Sequence, residues 1–99
     1  MKARYRDRAR NDIDAMYARI ERGNPEIAQR VENAIKNAGE LLAERPELGV
    51  ATGHEDARRW PMPDQHVTIF YRIDWQSDEV DILRVIDGRQ VRNLKRVPS

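Results

Sequence analysis

The sequence predicts an α+β domain, with an N-terminal strand and an antiparallel helical hairpin packed on a small, mostly antiparallel β-sheet. Three observations lead to this prediction. Apolar residues recur at helical spacing between positions 9 and 42, a Gly-Asn-Pro sequence divides that stretch in two, and positions 66–86 alternate with the period of strands. The chain has 99 residues, enough for one modest core, so we expect a single domain over residues 1–99.

The first elements follow from short-range spacing. The segment KARYR alternates basic residues with small or aromatic ones, which predicts a short first strand. A helix should follow, because apolar residues then recur at steps of four, three and four: Ala9, Ile13, Met16 and Ile20. Asp7 is suited to cap the start of this helix, and Gly23 is suited to end it.

The second helix has strong boundary signals. Asn24 is a favourable N-cap, and Pro25 fits the first helical position. Pro46 disfavours a helical residue before it, so the helix should end near Glu44. Over residues 24–44 it would be about 30 Å long. Its predicted core stripe consists of Ile27, Val31, Ala34, Ile35, Ala38, Leu41 and Leu42.

The remainder of the chain predicts three strands. RPELGVATGHED is rich in turn-forming residues and predicts a loop. ARRWPMP predicts a strand at the sheet edge, because Pro61 and Pro63 cannot donate hydrogen bonds to a ladder. Two further strands, 66–73 and 79–86, are separated by a turn over residues 74–78.

Both of these last strands contain an arginine among apolar residues. Strict alternation assigns one face of the final strand to Val80, Ile82, Arg84 and Ile86, and the other to Leu83 and Val85. Because two helices cover only one side of a sheet, we expect the other side to be partly open. Arg72 and Arg84 then either present that side to another molecule or pair with carboxylates. The nearest candidates for such pairing are Asp74, Asp81 and Asp87.

Composition narrows the class of protein. The chain has no cysteine, which excludes disulfides and cysteine-ligated metals, and no apolar run long enough to span a bilayer. Its first ten residues are too charged for a signal peptide, so a cytoplasmic protein is expected. Residues 2–10 and 82–99 each carry five basic residues against one acidic residue, whereas residues 11–81 carry 8 basic and 15 acidic residues. Such basic ends can attract a polyanion or an acidic protein partner.

Several short sequences also follow one another in a recognisable order. They are Asn24-Pro25, Pro46-x-x-Gly49, Arg58-Arg59, Ile69-Phe70-Tyr71-Arg72, and Ile82-Leu83-Arg84-Val85-Ile86 followed by Gly88-Arg89. Their order and spacing, over nearly the whole chain, resemble the ParE/RelE superfamily of bacterial toxins, and most closely its ParE-like, plasmid stabilisation branch. This resemblance implies the fold predicted above.

The resemblance also implies a function. It suggests the growth-inhibiting toxin of a type II toxin–antitoxin module, one that inhibits DNA gyrase without being an enzyme. A ParD-like antitoxin would neutralise it by wrapping an extended C-terminal segment around it. The alternatives are a RelE-like, ribosome-dependent mRNA endoribonuclease and a member that has lost toxicity and serves only in binding or autoregulation. Many relatives have a histidine where this chain has Asp87, and a carboxylate there would repel RNA phosphate.

The candidate site residues differ between these readings. For contact with the target or the antitoxin, they are Arg59, Trp60, Arg72, Arg84, Arg89, Arg92, Lys95 and Arg96. For the ribonuclease alternative, they are Arg58, Arg59, His66, Arg72 and Arg84. Some of these residues also have a structural interpretation. Trp60 can belong to the core, Arg84 can anchor Asp87, and the C-terminal tail can be solvated surface. We expect no metal, no cofactor, no membrane contact and no sequence-specific DNA binding by this chain, since GHED at 53–56 offers no complete ligand set.

Overall fold

The computed structural model describes residues 1–87, and it has the predicted α+β architecture. Its elements are β1 (Lys2–Tyr5), α1 (Asp7–Glu21), α2 (Pro25–Glu44), β2 (Val50–Ala51), β3 (Arg58–Met62), a 3-10 turn (Pro63–Gln65), β4 (Val67–Asp74) and β5 (Glu79–Asp87). The strands form one sheet in the order β1-β5-β4-β3-β2. β1 runs parallel to β5, and the other neighbours are antiparallel. None of the described helices is long and apolar enough to cross a membrane.

The helix boundaries show how well local signals predicted the hairpin. The Asn24 side chain accepts hydrogen bonds from the backbone N–H groups of Glu26 and Ile27, at 3.0 and 3.2 Å, as an N-cap should. The prediction that Asp7 caps α1 is wrong, because Asp7 is the first helical residue and Arg6 precedes it without a side-chain cap. A carboxylate in the first turn still interacts favourably with the helix dipole.

The core lies between the helical hairpin and one face of the sheet, which we call the helix face. Its largest fully buried side chains are Tyr71, Ile35, Leu42, Ile69, Ile82, Val80 and Val85. α2 lies very close to β1, since a Cβ added to Gly39 would collide with the Tyr5 hydroxyl. Two residues of the predicted stripe of α2, Ile27 and Leu41, are exposed.

The prediction that the proline-containing strand forms the sheet edge is wrong. β3 lies between β4 and the two-residue strand β2, which forms the edge instead. β2 lies in the segment that was predicted to be a loop. Within residues 1–87, β2 pairs with Arg58 and Arg59 alone. Since backbone groups alternate in direction along a strand, the ring nitrogen of Pro61 points to the same side as β2 but lies beyond its end. Pro61 therefore interrupts no ladder, and β2 is short enough to tolerate it.

A β-bulge in β5 overturns the predicted alternation of that strand. Tyr71 pairs with Ile82 and Phe70 with Arg84, so Leu83 is an extra residue without a partner in β4. Beyond it, the two faces exchange. Val85 pairs with Ile69 and joins the core, whereas Arg84 and Ile86 pair with residues of the opposite face.

The face opposite the helices is not open at its centre, contrary to expectation. Thr68 and Ile86, which pair with each other, are both 6% exposed, and Phe70 is 3% exposed. None of the three belongs to the core cluster beneath the helices. The isolated chain therefore buries both faces of β4, and only the margins of this second face are accessible.

Candidate functional site

Arginines surround this second face, which we call the arginine face. Residues that pair directly across strands lie on the same side of a sheet. Arg59 pairs with Phe70, and Phe70 pairs with Arg84. Two arginines therefore flank the Phe70 ring in one row. Arg72 pairs with Asp81 in the next row and so lies on the same face.

Arg84 is held by a residue that sequence reasoning did not consider. Its Nε and Nη2 atoms donate to the two carboxylate oxygens of Asp12 in α1, at 2.7 and 3.0 Å. The Val85 N–H donates to the same carboxylate at 3.0 Å. The hydrogen bond with Asp12 raises the pKa of Arg84 above its ordinary value. Both side chains are 18% exposed, so Arg84 fastens α1 to β5, and the predicted pairing with Asp87 is wrong.

Arg72 also has a partner inside the chain. Its Nε donates to the Glu55 carbonyl oxygen at 2.9 Å, and its Nη2 lies 3.7 Å from the Glu55 carboxylate. Glu55 and Asp56 both have left-handed backbone angles, with φ of 49° and 59°. Arg72 thus stabilises the strained loop between β2 and β3, while 39% of its side chain stays exposed.

Arg58 lies on the helix face, since it pairs with the core residue Tyr71. Its Nη1 donates to the Gly49 carbonyl oxygen at 2.8 Å. The Tyr71 hydroxyl donates to the Pro46 carbonyl oxygen at 2.7 Å and accepts from the Gly49 N–H at 2.8 Å. Together, Arg58 and Tyr71 fix the loop that follows α2. The sequence signal for this loop contact was Pro46-x-x-Gly49. Glycine is needed at position 49 because a side chain there would collide with the Tyr71 ring.

Arg59 differs from the other three arginines. It is exposed, and no ion pair or side-chain hydrogen bond within residues 1–87 engages it. Its neighbour Trp60 is on the opposite face, half-buried against the core, as its structural reading predicted. Among the described candidates, Arg59 is therefore the side chain most available to a partner. Arg89, Arg92, Lys95 and Arg96 lie outside the described residues.

Asp81 is a buried carboxylate that sequence reasoning treated only as a possible partner of the mid-strand arginines. It is 5% exposed and accepts hydrogen bonds from Arg4 Nε at 2.9 Å and Arg6 Nη2 at 3.1 Å. Arg4 also lies 3.2 Å from Glu79. The hydrogen bond with Asp81 raises the pKa of Arg4. These contacts hold the basic N-terminal strand against β5.

The residues of the ribonuclease alternative do not converge. Arg58 is on the helix face, whereas Arg59, Arg72 and Arg84 are on the arginine face. His66 is exposed just after the 3-10 turn, with a left-handed φ of 56°. General acid–base catalysis needs its groups within hydrogen-bonding reach of one reacting centre. Over residues 1–87, no three histidine or acidic side chains are placed to hold a metal ion.

Comparison with known proteins identifies the family. A solved structure described as the chromosomal ParDE toxin–antitoxin system from P. aeruginosa superposes with a TM-score of 0.74, covering 88% of this chain and 95% of that one at 20% identity. At that identity, the match defines a shared ParE-like fold. No curated protein matches the sequence significantly. The family model for the ParE toxin of the type II toxin–antitoxin system parDE matches residues 3–92. The chain belongs to this ParE toxin family, and membership implies an antitoxin partner.

Proposed function

We propose that this chain is a cytoplasmic toxin that inhibits DNA gyrase by binding it, and that a ParD-like antitoxin neutralises it. The observation that carries the proposal is the match of the ParE toxin family model over residues 3–92. The similar P. aeruginosa structure is described as a ParDE system, which fits a toxin made together with its antitoxin.

The placement of the arginines supports binding rather than catalysis. Arg58, Arg72 and Arg84 each donate to an acceptor within the chain. Those contacts occupy some of the donors of each guanidinium group and give each arginine a structural role within the chain. Arg59 is exposed at the margin of the arginine face, where a guanidinium can contact a carboxylate or phosphate of another molecule.

A supercoiling assay with purified gyrase tests the proposal. The purified chain should reduce supercoiling of relaxed plasmid and increase the amount of linear, cleaved DNA. Adding the protein encoded by the neighbouring open reading frame should restore supercoiling. A folded chain without effect on gyrase at any concentration would contradict the proposed target. Codon-linked mRNA cleavage after induction would instead favour the ribonuclease alternative.

Arg59 offers a sharper version of this assay. We expect Arg59→Ala to raise the concentration needed for half-inhibition at least about fivefold, which corresponds to a loss of about 1 kcal/mol of binding free energy. Arg30 is the matched control, because it is also an exposed arginine without a partner among the described residues, but it is on α2. Equal potency of the two alanine variants would remove Arg59 from the gyrase-binding surface.

A further inference from the structure

Arg59 lies among apolar side chains at the margin of the arginine face. Val50 of β2 pairs with it on one side, and Phe70 of β4 pairs with it on the other. Directly paired residues have Cβ atoms about 4.5–5.5 Å apart, so both are close neighbours of Arg59. Pro61 pairs with Thr68, two positions further along β3 than Arg59, and therefore points to the same face. None of these neighbours carries a charge.

Part of this apolar surrounding is exposed to solvent. Val50 is 54% exposed, and Leu48, two residues earlier in the chain, is 39% exposed. Pro61 is exposed as well, whereas Phe70 is buried. Valine and leucine are among the residues most often found inside folded proteins. We call Leu48, Val50, Arg59 and Pro61 the β2–β3 patch, in which three exposed apolar side chains accompany one exposed cation.

The backbone beneath the patch is fixed by contacts with the core. The Gly49 N–H, between Leu48 and Val50, donates to the Tyr71 hydroxyl at 2.8 Å. The Gly49 carbonyl oxygen accepts from Arg58 Nη1, also at 2.8 Å. A surface that is already ordered loses little conformational entropy on binding, which favours affinity.

A single cation among apolar side chains favours a protein partner over a nucleic acid. Interfaces with DNA are polar and contain many cations, because the protein neutralises several phosphates. In protein–protein interfaces, arginine is enriched where surrounding contacts exclude water. Exclusion of water lowers the local dielectric constant, which strengthens the attraction between Arg59 and a carboxylate. A second copy of this chain, placed patch against patch, would instead oppose two unpaired arginines, which is unfavourable.

We propose that the β2–β3 patch docks on gyrase, where Arg59 binds an acidic side chain that is itself surrounded by apolar residues. Leu48, Val50 and Pro61 would pack on that apolar surface. This inference rests on the proposed function, because it takes gyrase as the partner. Its basis is charge complementarity: the unpaired guanidinium needs a carboxylate, and the apolar side chains around it need a surface that excludes water.

Opposite charges at position 50 test the sign of the partner's charge. Val50→Glu and Val50→Lys remove the same apolar contact, and both new side chains start about 5 Å from that of Arg59. Glutamate neutralises Arg59 within the chain and repels a carboxylate of gyrase, whereas lysine adds to the attraction. In the supercoiling assay, we expect Val50→Glu to raise the half-inhibition concentration at least about tenfold, and Val50→Lys about threefold or less.

Ile27→Glu is the matched control for the added carboxylate. Ile27 is 43% exposed but lies on α2, away from the patch, so the variant should inhibit gyrase within about twofold of wild type. Circular dichroism spectra and thermal midpoints verify that the variants are folded. Calorimetry with the purified product of the neighbouring open reading frame should give Val50→Glu an affinity within about twofold of wild type.

The outcomes separate the inference from the proposed function. Equal potency of Val50→Glu and Val50→Lys would overturn the acidic contact on gyrase. Weakened binding of the neighbouring gene product by Val50→Glu, with wild-type inhibition of gyrase, would assign the patch to the antitoxin instead. Binding of duplex DNA by the chain alone, lost in Arg59→Ala, would assign it to a nucleic acid.

Two further results are decisive without Val50→Glu. If that variant does not fold, Arg59→Glu replaces it, and wild-type potency of Arg59→Glu would overturn the inference. A wild-type chain without effect on gyrase would overturn the proposed function, and the inference with it. Inhibition by the wild-type chain, together with wild-type potency of every patch variant, would overturn the inference alone.

Discussion

Asp12→Ala should destabilise the protein by about 2–4 kcal/mol, because the Asp12 carboxylate joins α1 to β5 at three points. It accepts two hydrogen bonds from Arg84, at 2.7 and 3.0 Å, and one from the Val85 N–H at 3.0 Å. Hydrogen bonds to a charged group contribute roughly 1.5–3 kcal/mol each when buried. Three such bonds would contribute at least about 4.5 kcal/mol if they were fully buried. Both side chains of the pair are 18% exposed, so solvent recovers part of that loss and reduces the expected effect to about 2–4 kcal/mol.

A double-mutant cycle isolates the interaction between Asp12 and Arg84. The variants are Asp12→Ala, Arg84→Met and the double variant, since methionine retains much of the arginine stem. Urea denaturation followed by circular dichroism gives the free energy of unfolding of each. We expect a coupling energy of about 1–2.5 kcal/mol, within the range for contacting residues. Glu32 and Lys36 form a surface i,i+4 pair at 3.1 Å, for which a coupling below about 0.5 kcal/mol is expected.

Two results would refute this reasoning. Additive effects of Asp12→Ala and Arg84→Met, within about 0.5 kcal/mol, would show that the contact contributes little to stability. If Arg84→Met kept wild-type stability and lost gyrase inhibition, Arg84 would be a contact residue, and the structural role assigned to it would be wrong.

Three further predictions concern Tyr71 and the bulge. Tyr71→Phe removes the hydroxyl that bridges Pro46 and Gly49, and should lower the free energy of unfolding in urea by about 1–3 kcal/mol. Burial raises the pKa values of Tyr71 and Tyr5, so the folded state retains protons that the unfolded state loses above about pH 10. Stability should therefore be fully present below pH 10 and decline as pH rises further, less steeply in Tyr71→Phe; equal slopes in pH-resolved urea titrations would contradict this. Deletion of Leu83 removes the bulge but keeps Ile82 and Val85 on the helix face, opposite Tyr71 and Ile69, so the dispersed amide spectrum seen by NMR should persist; loss of dispersion would show that the bulge is needed for folding.

Local sequence signals predicted the elements whose physics is local. The α2 boundaries follow from Asn24, which caps the first N–H groups, and from Pro46, which excludes a helical residue before it. Strand β4 alternates without interruption, and the predicted strand, 66–73, lies within one residue of the observed bounds, Val67–Asp74. The order and spacing of the short sequences were also sufficient to indicate the ParE family, which the family match confirms.

The candidate site was only partly predictable, because its arginines are exposed or engaged according to distant contacts. In the sequence, Arg59 and Arg84 are the same residue type. One is exposed and without a partner among the described residues, whereas the other is bound to a carboxylate 72 positions earlier in the chain. Arg58 and Arg59 are adjacent, yet they lie on opposite faces and have different partners.

By itself, the sequence determined the α+β class, the hairpin and the family, since caps, prolines and apolar spacing act over a few residues. Tertiary structure alone decided that Leu83 is a bulge, that Arg84 pairs with Asp12, and that Phe70 is buried on the face expected to be open. The physical reason is that register and ion pairing depend on groups brought together only when the sheet assembles. Relative to strict alternation, one extra residue in a strand moves every side chain beyond it to the other face of the sheet. No local signal in this sequence predicts that change.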